Sequence, residues 1–121
     1  MRYYESGETS GWQNVNPAPH GDVVLGRKDI GTSYHLAVTH DDALQAITHI
    51  VRGNDLKSST DIHVLLQTLM GWPVPDYHHH ALIFDADGEK LAKRRGSQSI
   101  RDLRRSALGR EAVLKIAGVT R

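Results

Sequence analysis

The fold is decided by residues 48–84, which read THIVRGNDLKSSTDIHVLLQTLMGWPVPDYHHHALIF. Thr48–Arg52 is typical of a buried strand, and Ala81–Phe84 is a further, apolar strand. Between them Ser58–Asp61 begins a helix that ends at Gly71. Its apolar residues recur at helical spacing: Ile62, Leu65, Leu66 and Leu69. Strand, helix and strand in this order predict a βαβ unit and therefore an α/β fold with a parallel sheet.

The residues before this unit predict two further strands and a short helix. Residues 1–21 are rich in Gly, Ser, Asn and Pro, which predicts an irregular segment. Asp22–Arg27 and Ser33–Val38 are predicted as neighbouring strands, the second with alternating side chains on one face. Asp41 and Asp42 are predicted to cap a helix at Ala43–Ile47.

The residues after this unit predict a turn, a basic loop and two helices. Asp85–Gly88 is typical of a tight turn, and Lys90–Gly96 is the basic loop. Ser97 or Ser99 is predicted to cap helices at about 100–108 and 110–117. We therefore divide the chain into an irregular segment (1–21), an α/β domain (22–96) and a basic helical segment (97–121).

Composition limits the classes of protein to which the chain can belong. Its 121 residues are 39% hydrophobic and include no cysteine, which fits a globular domain in a reducing cytoplasm and excludes a disulfide scaffold. No apolar run approaches the roughly 18 residues of a membrane helix, and the N-terminus lacks the apolar centre of a secretory signal. We therefore expect a cytoplasmic protein without a membrane partner.

The net charge of +1 conceals two oppositely charged segments. Residues 1–89 contain five basic and twelve acidic side chains, a net charge of −7. Residues 90–121 contain ten basic and two acidic side chains, a net charge of +8. Such an asymmetry is typical of a segment that binds phosphates, of RNA or of a nucleotide. The alternative is a solvated helix face followed by a frayed basic tail.

Arg52 is a candidate ligand-binding residue, because it ends a predicted parallel strand, where α/β proteins bind their ligands. Its guanidinium suits a carboxylate or a phosphate, and Gly53 after it permits close approach of the backbone. Tyr34, on a predicted neighbouring strand, could add a hydroxyl group to the same pocket. The alternative is that Arg52 only pairs with a nearby acidic residue: Asp41, Asp42 or Asp55.

The basic loop and the histidines are the other candidates for chemistry. Lys90–Gly96 places four cations before a capped helix, which fits a polyphosphate ligand, although the chain has neither a P-loop nor a Gly-x-Gly-x-x-Gly motif. The eight histidines show no metal-ligand spacing. In His78–His80 a strand would turn His79 to the opposite face from its neighbours.

Four segments occur in one order along the chain: Tyr34–Val38, Asp41–Gln45, Thr48–Gly53 and Lys90–Arg94. Together they resemble the C-terminal half of the catalytic domain of class I glutamyl-tRNA synthetases, a partial Rossmann-like parallel sheet with flanking helices. Val51–Leu56 and Asp85–Arg94 resemble most closely the short paralogues, the glutamyl-Q tRNA(Asp) synthetases. The resemblance covers about residues 20–108.

The resemblance implies roles for individual residues. Tyr34 and Arg52 match positions that bind glutamate, with Arg52 taking a carboxylate. Lys90, Leu91, Ala92, Lys93 and Arg94 match the Lys-Met-Ser-Lys-Ser loop that closes over ATP, with Ala92 where the family has Ser. Lys93, together with Lys90, would stabilise the charge that develops on pyrophosphate. Glutamate would be activated with ATP, with magnesium expected alongside it, and transferred to the queuosine base of tRNA(Asp), close to the basic residues after Gly96.

Other parts of the family pattern are not in these 121 residues: the His-Ile-Gly-His motif, the N-terminal glutamate contacts and the cysteines that hold zinc in many paralogues. We therefore expect a fragment with no zinc site and no activity alone. Its N-terminal half would come from a separate chain, or its exposed sheet edge would lead to self-association. The alternatives are a fragment of a glutamyl-tRNA synthetase, a non-catalytic tRNA-binding module and a histidine-rich metal binder.

Overall fold

The computed structural model describes residues 1–84, 87–90 and 99–119. The chain forms two compact units, Met1–Leu82 and Ile83–Arg121. No helix among the described residues is long and apolar enough to cross a membrane.

The first unit is built on a four-stranded mixed sheet with the strand order β2-β1-β6-β5. Its strands are β1 (Arg2–Glu5), β2 (Gly11–Asn14), β5 (His49–Gly53) and β6 (Asp76–His80). β6 is parallel to both β1 and β5, whereas β1 and β2 are antiparallel. The predicted α/β fold with a parallel sheet and flanking helices is therefore confirmed.

The predicted βαβ unit is present as β5, α2 (Thr60–Met70) and β6. The helix ends where predicted, because Gly71 adopts a left-handed conformation with φ 68°. The second strand was predicted at Ala81–Phe84, and this is wrong, since the strand is Asp76–His80. Tyr77 and His79 are both buried, and they alternate with the exposed Asp76 and His80 and the half-buried His78. A strand that buries a tyrosine and a histidine lacks the apolar run by which buried strands are predicted.

The largest departure from prediction is α1 (Tyr34–Leu44), which replaces the strand predicted at Ser33–Val38. The helix also contains Asp41 and Asp42, so they lie in its last turn and do not cap a helix at Ala43–Ile47. A short apolar run is compatible with either structure, and tertiary contacts decide between them. Here the ring of His35 packs against the ring of His63 on α2, with 5.2 Å between their centroids.

The N-terminal predictions also need correction. Residues 1–21 were predicted to be irregular, yet they contain β1 and β2. The strand predicted at Asp22–Arg27 is reduced to β3 (Gly26–Arg27), which pairs with β4 (Gly31–Thr32) in a small hairpin. In β1 the inward residues are Tyr3 and Glu5, and a buried glutamate hides the alternation that would otherwise predict a strand.

The core of the first unit lies between the sheet and α2. Tyr3, Val64 and Tyr77 form its buried apolar cluster, against which Val15 and Ile50 pack. The rings of Tyr3 and Tyr77 meet edge to face with centroids 5.2 Å apart. This small cluster leaves much of the interface between sheet and helix to polar side chains.

The second unit contains α3 (Ile100–Arg105) and α4 (Arg110–Ile116), close to the two predicted helices. Ser99 caps α3 as predicted, because its hydroxyl group accepts a hydrogen bond from the Asp102 amide and the Asp102 carboxylate accepts one from the Ser99 amide. Phe84 forms an antiparallel bridge with Lys90. Asp85 and Ala86 of the predicted turn lie outside the described residues.

Candidate functional site

Arg52 lies near the carboxyl end of β5, and its guanidinium is held by three neighbouring side chains. Its Nε donates to Nε2 of His79 at 3.1 Å, and its Nη2 donates to the Thr60 hydroxyl group at 2.6 Å. Its Nη1 lies 3.0 Å from Nδ1 of His63. Arg52 is half-buried, whereas all three partners are fully buried. The sequence-based alternative, an ion pair with a carboxylate, is not formed by Arg52 among the described residues.

These contacts determine where the imidazole protons are, because arginine can only donate. Nε2 of His79 and Nδ1 of His63 must both accept from Arg52 and are therefore unprotonated. The Thr60 hydroxyl group accepts from Arg52 and lies 3.1 Å from the same His79 nitrogen. Both histidines are thus neutral, and Arg52 is held without neutralising its positive charge.

Glu5 binds His79 on the side of the imidazole ring opposite to Arg52. Nδ1 of His79 lies 2.5 Å from Oε2 of Glu5, while the amides of His79 and Gly7 donate to Oε1 at 2.9 and 2.8 Å. Burial alone would raise the pKa of the Glu5 carboxyl group, but these hydrogen bonds outweigh it and lower the pKa. Burial, reinforced by the charge of Arg52, lowers the pKa of His79 against the opposing effect of Glu5.

His63 connects Arg52 to α1. Its Nε2 lies 3.0 Å from Nδ1 of His35. Burial, together with the charge of Arg52, lowers the pKa of His63 from 6.5 to about 3, and burial also lowers the pKa of His35. The uncharged state required by the hydrogen bonds is therefore also the state that burial favours.

Tyr34, the second predicted glutamate-binding residue, lies at the first turn of α1 with 51% of its surface exposed. Its ring is 5.8 Å from that of His63 and 5.9 Å from that of His35. His63 thus contacts both Tyr34 and Arg52, although Tyr34 comes from a helix and not from the predicted strand. Next to Tyr34, the buried hydroxyl oxygen of Ser33 has no hydrogen-bond partner among the described residues.

Two further side chains set the electrostatics around Arg52. Its guanidinium lies over the Tyr77 ring, 5.1 Å from the centroid, which is a favourable cation–π contact. Burial raises the pKa of the half-buried Asp42 carboxyl group, and the charge of Arg52 acts in the opposite direction. Arg52 thus provides a positive charge next to the buried rings of Tyr77, His63 and His79.

The predicted ATP loop is described only at Lys90, which bridges to Phe84. Leu91, Ala92, Lys93 and Arg94 lie outside the described residues. In the part of the chain that the structure describes, no group of three or more His, Asp or Glu side chains could hold a metal ion. The predicted orientation of His79, opposite to its neighbours in the strand, is confirmed. His79 is buried on the helix side of β6, and His80 is exposed on the other face.

Sequence reasoning missed the three residues that hold Arg52, namely Thr60, His63 and His79, and the two that contact these histidines, Glu5 and His35. Glu5 and His79 meet across 74 residues, whereas Thr60 and His63 lie 8 and 11 residues from Arg52 but have no distinctive sequence pattern. The only local signal was the alternation that turns His79 inward.

Comparison with known proteins gives relatives for both the sequence and the fold. Residues 8–121 match the family of tRNA synthetases class I (E and Q), catalytic domain. A glutamyl-Q tRNA(Asp) synthetase of Rhodobacter capsulatus is 45% identical over 113 residues, which are 90% of this chain and 41% of the relative. The mitochondrial glutamate–tRNA ligase of Saccharomyces cerevisiae is 36% identical over 106 residues, 88% of this chain and 20% of that protein.

A solved structure shares the fold. The crystal structure of a glutamate tRNA ligase from Elizabethkingia meningosepticum, in complex with its amino acid, is 36% identical with a TM-score of 0.65. The match covers 79% of this chain and 19% of the ligase. The chain thus spans less than half the length of each of these relatives.

Proposed function

The chain belongs to the catalytic-domain family of class I tRNA synthetases for glutamate and glutamine, and we propose that it supplies the glutamate-binding part of a glutamyl-Q tRNA(Asp) synthetase. The observation that carries this proposal is the state of Arg52. Three of its five N–H groups are held by neutral acceptors, and the other two have no partner among the described residues. The carboxylate of a bound glutamate would accept hydrogen bonds from the two remaining N–H groups of Arg52 and neutralise its positive charge.

Arg52 and Tyr34 would hold the glutamate while it reacts with ATP. An oxygen of its α-carboxylate attacks the α-phosphorus, the bond to the β-phosphate oxygen breaks, and glutamyl adenylate and pyrophosphate form. Lys90 and Lys93 would stabilise the negative charge on the departing pyrophosphate, as the resemblance of Lys90–Arg94 to the Lys-Met-Ser-Lys-Ser loop implies. Magnesium would enter with ATP and offset charge on its phosphates.

The second unit would bind the tRNA. Its described helices carry a set of basic side chains, and α3 and α4 bury none of their residues. These side chains are Arg101, Arg104, Arg105, Arg110 and Lys115. Such helices can neutralise RNA phosphates, and binding of this kind weakens steeply with salt. The acceptor we propose is the queuosine base of tRNA(Asp), as in the glutamyl-Q relatives' name.

We further propose that the 121 residues do not activate glutamate alone. The His-Ile-Gly-His motif that completes the family's nucleotide site is not among them, so those contacts would come from other residues of a longer protein or from a separate chain. The strand β5, at the edge of the described sheet, would accept such a partner or a second copy.

A hybrid enzyme tests the glutamate site. The segment of the Rhodobacter capsulatus relative that matches this chain is replaced by the chain itself, and glutamate-dependent ATP–pyrophosphate exchange is measured. We expect exchange by the hybrid and none by the 121 residues alone. Arg52→Lys keeps the charge but loses the two-pronged geometry, so kcat/KM for glutamate should fall by about 100-fold.

Arg27→Lys is the matched control, because Arg27 is exposed and pairs with Asp29 outside the site. An Arg52→Lys hybrid as active as the wild-type hybrid would contradict the proposal, and exchange by the isolated chain would contradict its inactivity. The ligase relatives favour a second candidate, glutamylation of tRNA(Glu). Charging of tRNA(Glu) in place of queuosine-containing tRNA(Asp) would establish it, whereas salt-sensitive tRNA binding without glutamate binding would indicate a non-catalytic module.

A further inference from the structure

His63 occupies a central place in the site, yet neither its sequence context nor the family resemblance assigned it a role. It is buried on α2 and contacts groups from two other elements: Arg52 on β5, and Tyr34 and His35 on α1. A neutral side chain in this position fixes one terminal nitrogen of the arginine.

The direction of each hydrogen bond around His63 follows from chemistry. Nη1 of Arg52 must donate, so Nδ1 of His63 accepts and its proton lies on Nε2. That Nε2–H then donates to Nδ1 of His35, which leaves the His35 proton on its own Nε2. The chain of donors runs in one direction, from Arg52 through His63 to His35.

A neutral acceptor differs in its effect from the carboxylate that often pairs with arginine. A carboxylate would fix the guanidinium but also cancel its charge, and a ligand carboxylate would then gain little from binding. An imidazole nitrogen fixes the same N–H group and leaves the full charge for the ligand. The acidic residue of the network, Glu5, contacts His79 and not Arg52.

We propose that His63 is a positioning residue: its Nδ1 holds the Arg52 guanidinium in the orientation that binds the carboxylate of the amino-acid substrate. The proposal rests on the proposed function for the identity of the ligand. The restraint on Arg52 itself exists without any ligand, so it can be measured separately.

The test compares His63→Asn with His63→Leu in the full chain. Asparagine places a carbonyl oxygen close to the position of Nδ1, whereas leucine fills similar volume without an acceptor. With ¹⁵N labelling, the wild-type spectrum should show an unprotonated Nδ1 on His63 and slow rotation of the Arg52 Nη1 group. The restraint should persist in the asparagine variant and be lost in the leucine variant.

Titration with glutamate provides the second measurement. His63→Leu should weaken binding about tenfold or more, and His63→Asn less than about threefold, because one hydrogen bond to a charged group is lost or kept. His49→Asn, an exposed histidine on the same strand as Arg52, is the matched control and should bind like wild type. Circular dichroism identifies any variant that does not fold, and the wild-type tautomer still decides the question if the leucine variant fails.

The outcomes separate the two proposals. A protonated Nδ1 on His63, unrestrained Arg52 in the wild-type chain, or equal effects of asparagine and leucine would overturn the positioning role. A restrained Arg52 with the expected tautomer, but no glutamate binding by the chain or by the hybrid enzyme, would uphold the positioning role and contradict the proposed function.

Discussion

The two units of the chain hold their polar side chains in opposite ways. In Met1–Leu82 the buried carboxylate of Glu5 and the imidazole of His79 meet across 74 residues of sequence. In Ile83–Arg121 the described residues Ser99 and Asp102 form a capping box, with partners only three residues apart and exposed. The first unit depends on its tertiary structure, and α3 depends on its neighbours in sequence.

Charge follows the same division. Met1–Leu82 has five basic and nine acidic side chains, a net charge of −4, whereas Ile83–Arg121 has ten basic and five acidic ones, a net charge of +5. In the role we propose for it, Arg52 must select one small ligand, and a half-buried guanidinium held by neutral acceptors suits that role. Positive charges that meet a polyanion need only be numerous and exposed.

Glu5→Ala should produce the largest effect and show how strongly the first unit depends on its long-range contacts. Removal of the carboxylate leaves the amides of His79 and Gly7 and the His79 ring without an acceptor. We expect the free energy of unfolding to fall by at least about 3 kcal/mol, measured by urea denaturation. Glu8→Ala, exposed in the same segment, should change it by less than about 0.5 kcal/mol, and equal effects of the two would contradict the comparison.

Acid should destabilise the first unit selectively. The pKa values of His35, His63 and His79 are all lowered on folding, so their contribution to stability is present above about pH 6.5 and is lost as the pH falls. With a pKa of about 3 for His63, this residue alone should cost about 2–3 kcal/mol between pH 7 and pH 4.5. Glu5 adds a loss of the same sign at lower pH.

Thermal unfolding of wild type and His63→Asn over this pH range measures the effect. The asparagine variant should lose less stability towards acid, because its side chain does not titrate. Stability that stays constant or rises from pH 7 to pH 4.5 would contradict the buried neutral histidines.

Ser99→Ala should produce the smallest effect, and a local one. Loss of an N-cap costs about 1 kcal/mol, which in a short exposed helix lowers its population without unfolding anything else. We expect smaller helical Cα chemical shifts for Ile100–Arg105 and an unchanged unfolding transition for Met1–Leu82. A substitution that also shifted that transition would show that the two units do not respond independently.

Predictions from sequence succeeded where a local pattern determines the structure. The helical spacing of α2, its glycine stop at Gly71 and the serine cap of α3 are each specified by neighbouring residues. They failed at α1 and β6, because the contacts of His35 with His63 and of Tyr77 with the α2 side decide those segments. His35 and His63 lie 28 residues apart, and Tyr77 meets Gln67 only after the chain turns back between α2 and β6, so the periodicity within either segment does not report these contacts.

The site shows the same limit. Arg52 could be singled out because it ends a strand and precedes a glycine. Tyr34 was singled out by a family resemblance and by a predicted neighbouring strand that is in fact α1. The neutral acceptors around Arg52 could not be singled out, since Thr60 and His63 read as ordinary helix residues, and Glu5 lies in a segment rich in turn-forming residues. Only their burial around Arg52 makes these common residue types a specific binding environment for its guanidinium.

The polar core of the first unit also has a calorimetric consequence. Among the described residues, six buried side chains are polar and five are apolar: Glu5, Thr39, Thr60, His63, Gln67 and His79 against Tyr3, Ile62, Val64, Leu66 and Tyr77. Exposure of apolar surface raises the heat capacity on unfolding, and exposure of polar surface lowers it. The heat-capacity increment should therefore lie below the average of about 12–15 cal/mol/K per residue. The stability curve of the protein would then be unusually flat, so that cooling and moderate warming change its stability little.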